Sequence, residues 1–589
     1  MARDRKKPKT GKALMTEKIG RYRGLAIFLL LLSGVINLLA LTGSFYMLQI
    51  YDRALTSGSV PTLVAISVLA IGLYLFQGIF DVLRSQILVR FGARMDARLA
   101  PLAHEVVIEM PRYGYSTTEA LERGRDVDTV RNFVASPAPG ALFDLPWMPL
   151  FLVFVFVLHP LLGLLTSAGA LVLIALTTLT GFVTRNSAAD LQKAAVLRGN
   201  LADCHARNAD ILRAMGFAGR AVARFEAANE RHLDLQTRTS DVAGSFSGLS
   251  KVLRMMLQSA LLGLGAYLTM RGELSAGSII ACSVASARAL APVDMILGQW
   301  KAMGAARRSF DRLQETIEAM DDDGRFLALP APTKSIKVEK ITIVAPATGT
   351  ILVSEVSFDV KAGQALGLIG PSGGGKTSLA KGLVGVWPLL RGHVRLDDAD
   401  LDQWRPEVLG QSIGYLPQDV ALLDGTIAEN IARFDPDADP GSIIAAARAA
   451  GVHEMIVRLP GGYQTELGPN GTSLSAGQRQ RIGLARALYG NPFLVVLDEP
   501  NSNLDAEGEA ALTEAIRAVR ERGGIAIVIA HRPSALVAVD LVAIVQNGRL
   551  HAFGSKDEVL QPSPRPVPYA PIYGGASASA GRATAAPSK

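Results

Sequence analysis

Runs without Asp, Glu, Lys or Arg dominate the first half of the chain. Residues 24–51 and 54–80 form two such runs, and 145–184 forms a third, long enough to cross twice. A bilayer core takes about 20 apolar residues of helix, so these runs predict four spans. The long run divides at His159-Pro160, because proline disfavours helix at the residue before it. Two weaker spans follow near 249–270 and 274–298. Residues 255–270 are free of charge but short, and the last span carries Arg288 and Asp294. Six spans return the chain to its starting side. The first run is too long for a cleavable signal peptide and lacks a small-residue cleavage pattern. Short connections are expected at Asp52-Arg53, His159-Pro160 and Arg271-Gly272-Glu273. The two longer ones, 84–140 and 185–250, are rich in Ala, Leu, Arg and Glu, as in Ala188–Gln236, and read as helices continuing out of the membrane.

From about residue 334 the pattern changes. Short apolar runs alternate with helical stretches, and 365–369, 493–497 and 525–529 fit buried parallel strands. Asp321-Asp322-Asp323-Gly324 and Pro330-Ala331-Pro332 mark a linker. The pattern therefore divides the chain into a basic arm (1–24), a membrane domain (25–300), a linker (301–333), an α/β domain (334–560) and a disordered tail rich in Pro, Ser and Ala (561–589).

Composition supports the division. Hydrophobic residues are 49% and charged residues 19% of 589, with mean hydropathy +0.26, whereas soluble domains carry about 25% charged residues. This excludes global disorder and a disulfide-stapled secreted protein. The two cysteines, Cys204 and Cys282, lack metal-ligand spacing. The net charge of +7 is uneven: residues 1–23 hold nine Lys/Arg against two acids, and 84–140 hold eight arginines. Basic residues collect on the cytoplasmic side, so both termini and both long connections are expected there. Asp144, in Phe143-Asp144-Leu145-Pro146-Trp147, reads as an interfacial residue beside an aromatic anchor. Arg288 and Asp294 are six residues apart, nearly opposite on one helix, and cannot pair with each other. They either line a path, snorkel or pair between helices.

Gly370-Pro371-Ser372-Gly373-Gly374-Gly375-Lys376-Thr377 matches the phosphate-loop pattern between an apolar strand and a helical stretch beginning at Ser378, the context the pattern requires. Backbone N–H groups close around phosphates and the helix start adds its dipole. Lys376 supplies a charge to the β/γ-phosphates, and the Thr377 hydroxyl ligates Mg²⁺. Leu497-Asp498-Glu499-Pro500 ends a strand. Asp498 there can hold Mg²⁺ and Glu499 can polarise an attacking water.

Leu474-Ser475-Ala476-Gly477-Gln478 resembles the signature sequence of ATP-binding-cassette (ABC) proteins, with Ala476 where glycine is usual. Gln418 matches that family's glutamine loop, Ser502-Asn503-Leu504-Asp505 its D-loop, and His531 its switch histidine. The resemblance implies an α-helical six-span transmembrane domain of ABC exporter type followed by an α/β P-loop ABC nucleotide-binding domain. It also implies ATP and Mg²⁺ as cofactors and ATPase activity. Glu499, His531 and Gln418 would act in catalysis, with Gln418 also on the metal beside Thr377 and Asp498. Residues 370–378 with Ser475, Gly477, Gln478 and Asp505 would hold nucleotide. Ser475 and Gly477 would contact the γ-phosphate held by a second cassette, which implies a two-fold homodimer. Two features depart from the family pattern. Ile343–Pro346 lacks the usual adenine-stacking aromatic, and Pro469 stands where many exporters carry a glutamate.

Tyr46–Arg53, Val130–Phe133 with Phe143–Trp147, Val386-Trp387-Pro388 and Tyr415–Phe434 resemble one branch more closely. That branch is the ABC component of bacterial type I secretion, of the protease/lipase exporter kind. The resemblance implies an inner-membrane machine that exports proteins with C-terminal signals, completed by a periplasmic adaptor and an outer-membrane channel. With 24 residues before the first span, no N-terminal peptidase domain and no leader cleavage are expected. The alternatives are an exporter of lipid, drug or polysaccharide, and a soluble ABC-type ATPase acting on nucleic acid; the six spans argue against the second.

Overall fold

The computed structural model describes residues 23–320, 327, 329–468, 471, 474–530 and 532–560. The arm as far as residue 22, Asp321–Asp323, Pro469, His531 and the tail from 561 lie outside the described residues. Two compact units divide the chain, 1–323 and 324–589.

Among the described residues of the first unit, six helical segments are long and apolar enough to cross a membrane: Arg23–Ser57, Val60–Tyr113, Ala138–Leu158, Pro160–Thr184, Ala218–Met270 and Ala276–Ala319. The main helices are α1 (Arg23–Ala40), α2 (Thr42–Gln49), α3 (Val60–Glu109), α4 (Thr117–Val134), α5 (Met148–Leu158), α6 (Pro160–Arg207), α7 (Ala218–Met270) and α8 (Ala276–Met320). The turn expected at His159-Pro160 is present. His159 is extended (φ −162°), and its Nδ1 accepts the Leu161 N–H at 3.2 Å, capping α6. Helices α3, α6, α7 and α8 run 50, 48, 53 and 45 residues. At 1.5 Å per residue each is roughly 70–80 Å long, over twice a bilayer core. The two long connections are therefore helical, as the pattern implied. They reverse at Gly114 (φ +92°), just after Met110–Tyr113, and at Gly216 (φ +69°), just before α7.

Three expectations need correction. The first connection is not at Asp52-Arg53: the helix continues through a π-type turn, Ile50–Ala54, and breaks at Gly58 (φ +61°). Asp52 can stay inside because its carboxylate is satisfied across the bundle, accepting from the Ser275 hydroxyl (2.6 Å) and the Gly277 N–H (3.0 Å) at the start of α8. Asp144 is not a plain interfacial residue. Its Oδ1 accepts from Arg84 Nη1 (2.7 Å) on α3 and Asn37 Nδ2 (2.8 Å) on α1, and Arg84 also donates to Ser33 and Asp81. Finally, residues 301–320 are not linker but the end of α8. Their charges mislead because Arg312 forks onto the buried Asp126 of α4, while Leu313 packs against Ala103 and Val127. Of the alternatives for Asp294, interhelical pairing holds: Arg254 of α7 donates to it at 2.7 Å. Arg288 is exposed.

The described residues of the second unit form two sheets. An antiparallel one orders β2 (Ile351–Lys361), β1 (Ser335–Val344), β4 (Leu389–Leu396) and β5 (Ala399–Asp400). The larger orders β10 (Arg549–Ser555), β9 (Leu541–Gln546), β3 (Ala365–Ile369), β8 (Ile525–Ile529), β7 (Leu494–Asp498) and β6 (Ile413–Leu416). All its pairings are parallel except β10 with β9. Strands β7 and β8 are buried at every position, which is why they read as unbroken apolar runs. Helix α9 (Lys376–Leu383) follows β3, and α10 (Ala476–Leu488) and α11 (Ala506–Glu521) flank β7 in sequence. Parallel pairing brings the carboxyl ends of β3, β8, β7 and β6 to one edge, the usual place for a ligand in such sheets.

Candidate nucleotide site

That edge collects most of the residues singled out above. The loop after β3 needs glycine for steric reasons, most sharply at Gly370 and Gly375. Gly370 (φ +147°) and Gly375 (φ +95°) adopt conformations that L side chains rarely take, and a Cβ would stand 2.0 Å from the Val545 carbonyl oxygen at the first and 2.8 Å from that of Leu352 at the second. The loop delivers the chain into α9, with Lys376 5% exposed. Lys376 Nζ donates to the carbonyls of Gly370 (3.0 Å) and Pro371 (2.8 Å). Burial lowers its pKa, opposed by the nearby carboxylates of Glu499 and Asp498. Pro371, Ser372 and Gly373 are exposed along the loop, Gly374 is buried, and Ser378 continues the first turn of α9.

Asp498, the last residue of β7, is 1% exposed. Its Oδ1 accepts from Thr377 Oγ1 at 3.3 Å, while its Oδ2 is buried with no hydrogen-bond partner among the described residues. Burial raises its pKa, partly offset by the Thr377 hydrogen bond. A hard divalent cation takes oxygen donors, and a buried carboxylate oxygen with no partner beside a threonine hydroxyl fits one. Burial also pushes the Tyr415 phenol, near Asp498, up to about 12.

Glu499 is the next residue, at φ +48°. Gln418, two residues beyond β6, donates from Nε2 to Glu499 Oε2 at 3.1 Å. The structure thus joins Lys376, Thr377, Asp498, Glu499 and Gln418, although 121 positions separate Thr377 from Asp498 and 81 separate Gln418 from Glu499.

The signature residues lie apart from the phosphate loop of their own chain. Ser475 caps α10: its Oγ accepts the Gln478 N–H (3.2 Å), and Gln478 Oε1 accepts the Ser475 N–H (2.9 Å). Among the described residues, no hydrogen bond joins Ser475 or Gln478 to 370–378. Ala476 is exposed in the first turn of α10, which explains why a methyl is tolerated where glycine is usual. Gly477 has no such freedom, because a Cβ there would stand 2.7 Å from the Asn503 carbonyl oxygen. Asp505 caps α11 through the Gly508 N–H (2.9 Å) and accepts from Arg481. Its pKa is lowered chiefly by the Gly508 hydrogen bond.

Sequence reasoning missed Gln480. It is 3% exposed, and its amide reaches the backbone of Glu499, Pro500 and Asn503. A second polar residue one turn inside the signature helix was the available signal, hidden in the run Gln478-Arg479-Gln480-Arg481.

Family models match both units. The ABC transporter model matches residues 353–502, and the ABC transporter transmembrane region matches 24–293. The chain is 50% identical over 534 residues to the type I secretion system ATP-binding protein PrsD of Rhizobium meliloti (strain 1021), covering 91% of this chain and 92% of that protein. It is 27% identical over 560 residues to the leukotoxin translocation ATP-binding protein LktB of Mannheimia haemolytica, covering 92% and 77%. Among solved structures, a bacterial Atm1-family ABC exporter with ATP bound superposes with TM-score 0.76 at 24% identity, over 92% of this chain and 96% of that one, a likeness of fold.

Proposed function

The chain belongs to the ABC transporter family, and on that premise we propose that it is the ATP-hydrolysing exporter of a bacterial type I secretion system. Its cargo would be proteins carrying C-terminal signals. The observation that carries this reading is 50% identity, over 91% of the chain, to a protein named for that system. Similarity to a protein named for leukotoxin translocation supports a polypeptide cargo over lipid, drug or polysaccharide. Six apolar helices place the chain in a membrane, and the arginines of its long connections favour an inner-membrane orientation with the cassette and both termini cytoplasmic. A periplasmic adaptor and an outer-membrane channel would complete the conduit.

At the nucleotide site, backbone N–H groups of 370–378 cradle the phosphates, and Lys376 turns its ammonium from the loop carbonyls to the β/γ-phosphates. Thr377, Asp498 and Gln418 would hold Mg²⁺, which neutralises charge on the phosphates. Glu499, steadied by Gln418, orients and polarises the attacking water, and His531 supports the γ-phosphate. Ser475 and Gly477, exposed or apart from their own phosphate loop, serve a second copy, so each complete site takes a phosphate loop from one chain and a signature from the other.

Two experiments test the reading. With adaptor and channel co-expressed, a passenger bearing a C-terminal signal should leave the cell with the wild type and stay inside with Glu499→Gln. Retention of the passenger by the wild type, alongside ATP-driven lipid or drug efflux, would favour the other exporters. For the shared site, Lys376→Ala and Ser475→Arg chains should each be inactive, while their mixture regains hydrolysis at the one site whose halves are both intact. A mixture as inactive as its parents would rule out sharing.

A further inference from the structure

After Asp498 closes β7, the chain must turn so that Glu499 faces Gln418. It does so with Glu499 at φ +48°, a left-handed conformation that is unfavourable for a residue other than glycine. Such a turn persists only if its surroundings hold it. The Glu499 N–H donates to the Ile529 carbonyl on β8 at 3.0 Å. Within the loop the Ser502 N–H donates back to the Glu499 carbonyl at 3.2 Å, and a side chain from another element braces the same stretch. Gln480 Nε2 donates to the carbonyls of Glu499 (3.1 Å) and Pro500 (2.5 Å), with the Ser502 hydroxyl at 3.4 Å, and Gln480 Oε1 accepts the Asn503 N–H at 3.0 Å.

Gln480 lies on α10, one helical turn beyond Ala476. The same helix meets the same loop again at Gly477, whose missing Cβ leaves room for the Asn503 carbonyl. The two contacts make the signature helix and the 499–503 loop one piece. The side-chain requirement is narrow. The job needs two donors and one acceptor at the end of a two-carbon stem, all out of water. Glutamate offers no donor, methionine neither, and asparagine is one carbon short.

We propose that Gln480 is a positioning residue for ATP hydrolysis: its amide fixes the left-handed turn at Glu499, and so the direction in which that carboxylate points. The inference rests on the reading of Glu499 as the group that polarises water. Because the Gln480 amide bonds only within the 499–503 loop, it acts on the rate through Glu499 and leaves the phosphate loop alone.

The test uses the full-length protein with Gln480→Met and Gln480→Glu, the second keeping the Oε that accepts from Asn503. Both should lower kcat for ATP roughly 10- to 100-fold, the range expected when a reacting group is misplaced by about 1 Å. ATP affinity, measured by direct binding, should stay within about twofold. Unchanged kcat in a folded variant overturns the proposal. So does a fall in kcat matched by equal loss of affinity and of thermal midpoint, which would mark a merely structural residue. Combining Gln480→Met with Glu499→Gln separates this proposal from its premise. If Gln480 works through Glu499, the double variant is no slower than Glu499→Gln alone, and further slowing refutes the positioning role. Wild-type hydrolysis by Glu499→Gln alone would instead refute the reading of Glu499.

Discussion

In the cassette, Asp498 and Glu499 sit side by side at a strand end, one with a buried oxygen that has no partner among the described residues and the other accepting from the Gln418 amide. In the membrane half, Asp52, Asp144 and Asp294 are each occupied by another helix: Asp52 caps the start of α8, Asp144 binds Arg84 and Asn37, and Asp294 binds Arg254. The same functional group does two jobs. A carboxylate with an unpartnered buried oxygen, as at Asp498, is available for a cation, and one already engaged across a helix interface is a fastener. The difference teaches that hydrogen-bond satisfaction, more than burial, separates candidate chemistry from structure, since Asp498 is also the most buried of the five.

The largest expected effect sharpens this contrast. Glu499→Gln keeps the shape but loses the charge, and hydrolysis should fall about 100-fold or more with ATP binding retained; single-turnover hydrolysis beside equilibrium binding checks it. Next comes Asp144→Asn, which removes a partner of the largely buried Arg84. It should destabilise the membrane half by on the order of 2 kcal/mol, seen as a lower thermal midpoint in detergent, while hydrolysis per folded molecule is kept. Asp52→Asn should cost less, about 1 kcal/mol, the usual worth of a helix cap with a favourable dipole. The smallest effect is expected at the signature, where Ala476→Gly should alter hydrolysis by less than about twofold because Ala476 is exposed. Gly477→Ala, one residue on, should be the damaging change of the pair, since its methyl meets the Asn503 carbonyl. Equal damage from the two would undo the account of why alanine is tolerated here.

Burial of Asp498 adds a signed prediction. Its folded pKa is raised, so the folded state holds the proton more tightly than the unfolded chain. Stability contributed there is present below the unfolded carboxylate pKa and is lost as pH rises through the folded one. At neutral pH the ionised group is a cost, and Asp498→Asn should leave the apo protein's thermal midpoint unchanged or higher while abolishing Mg²⁺-dependent hydrolysis. A lower midpoint at neutral pH would contradict this.

How much of this was visible in the sequence depended on where each partner lies. The spans were legible because a bilayer leaves long uncharged runs, and β3 and β8 because parallel strands buried on both faces are continuous apolar runs. The site was legible because its residues fall at strand ends in a fixed order of motifs. Two of the fasteners were not, whereas interhelical pairing was among the readings open for Asp294. Asp52 meets Gly277 across 225 positions and Asp144 meets Arg84 across 60, and no local pattern encodes either. The stretch 301–320 looked like linker because its charges suit solvent, whereas Arg312 spends its charge on Asp126. Gln480 was hidden for a related reason: a polar residue on an amphipathic helix reads as surface until the loop it supports is known.

An amide scan tests the central distinction most directly. Asp52, Asp144, Asp294, Asp498 and Glu499 are each changed to Asn or Gln, and hydrolysis per folded molecule is plotted against thermal midpoint. The account predicts two separate groups: Asp498 and Glu499 lose hydrolysis with the midpoint retained, while Asp52, Asp144 and Asp294 lose midpoint with hydrolysis retained. All five falling on one line, with activity tracking stability throughout, would contradict it.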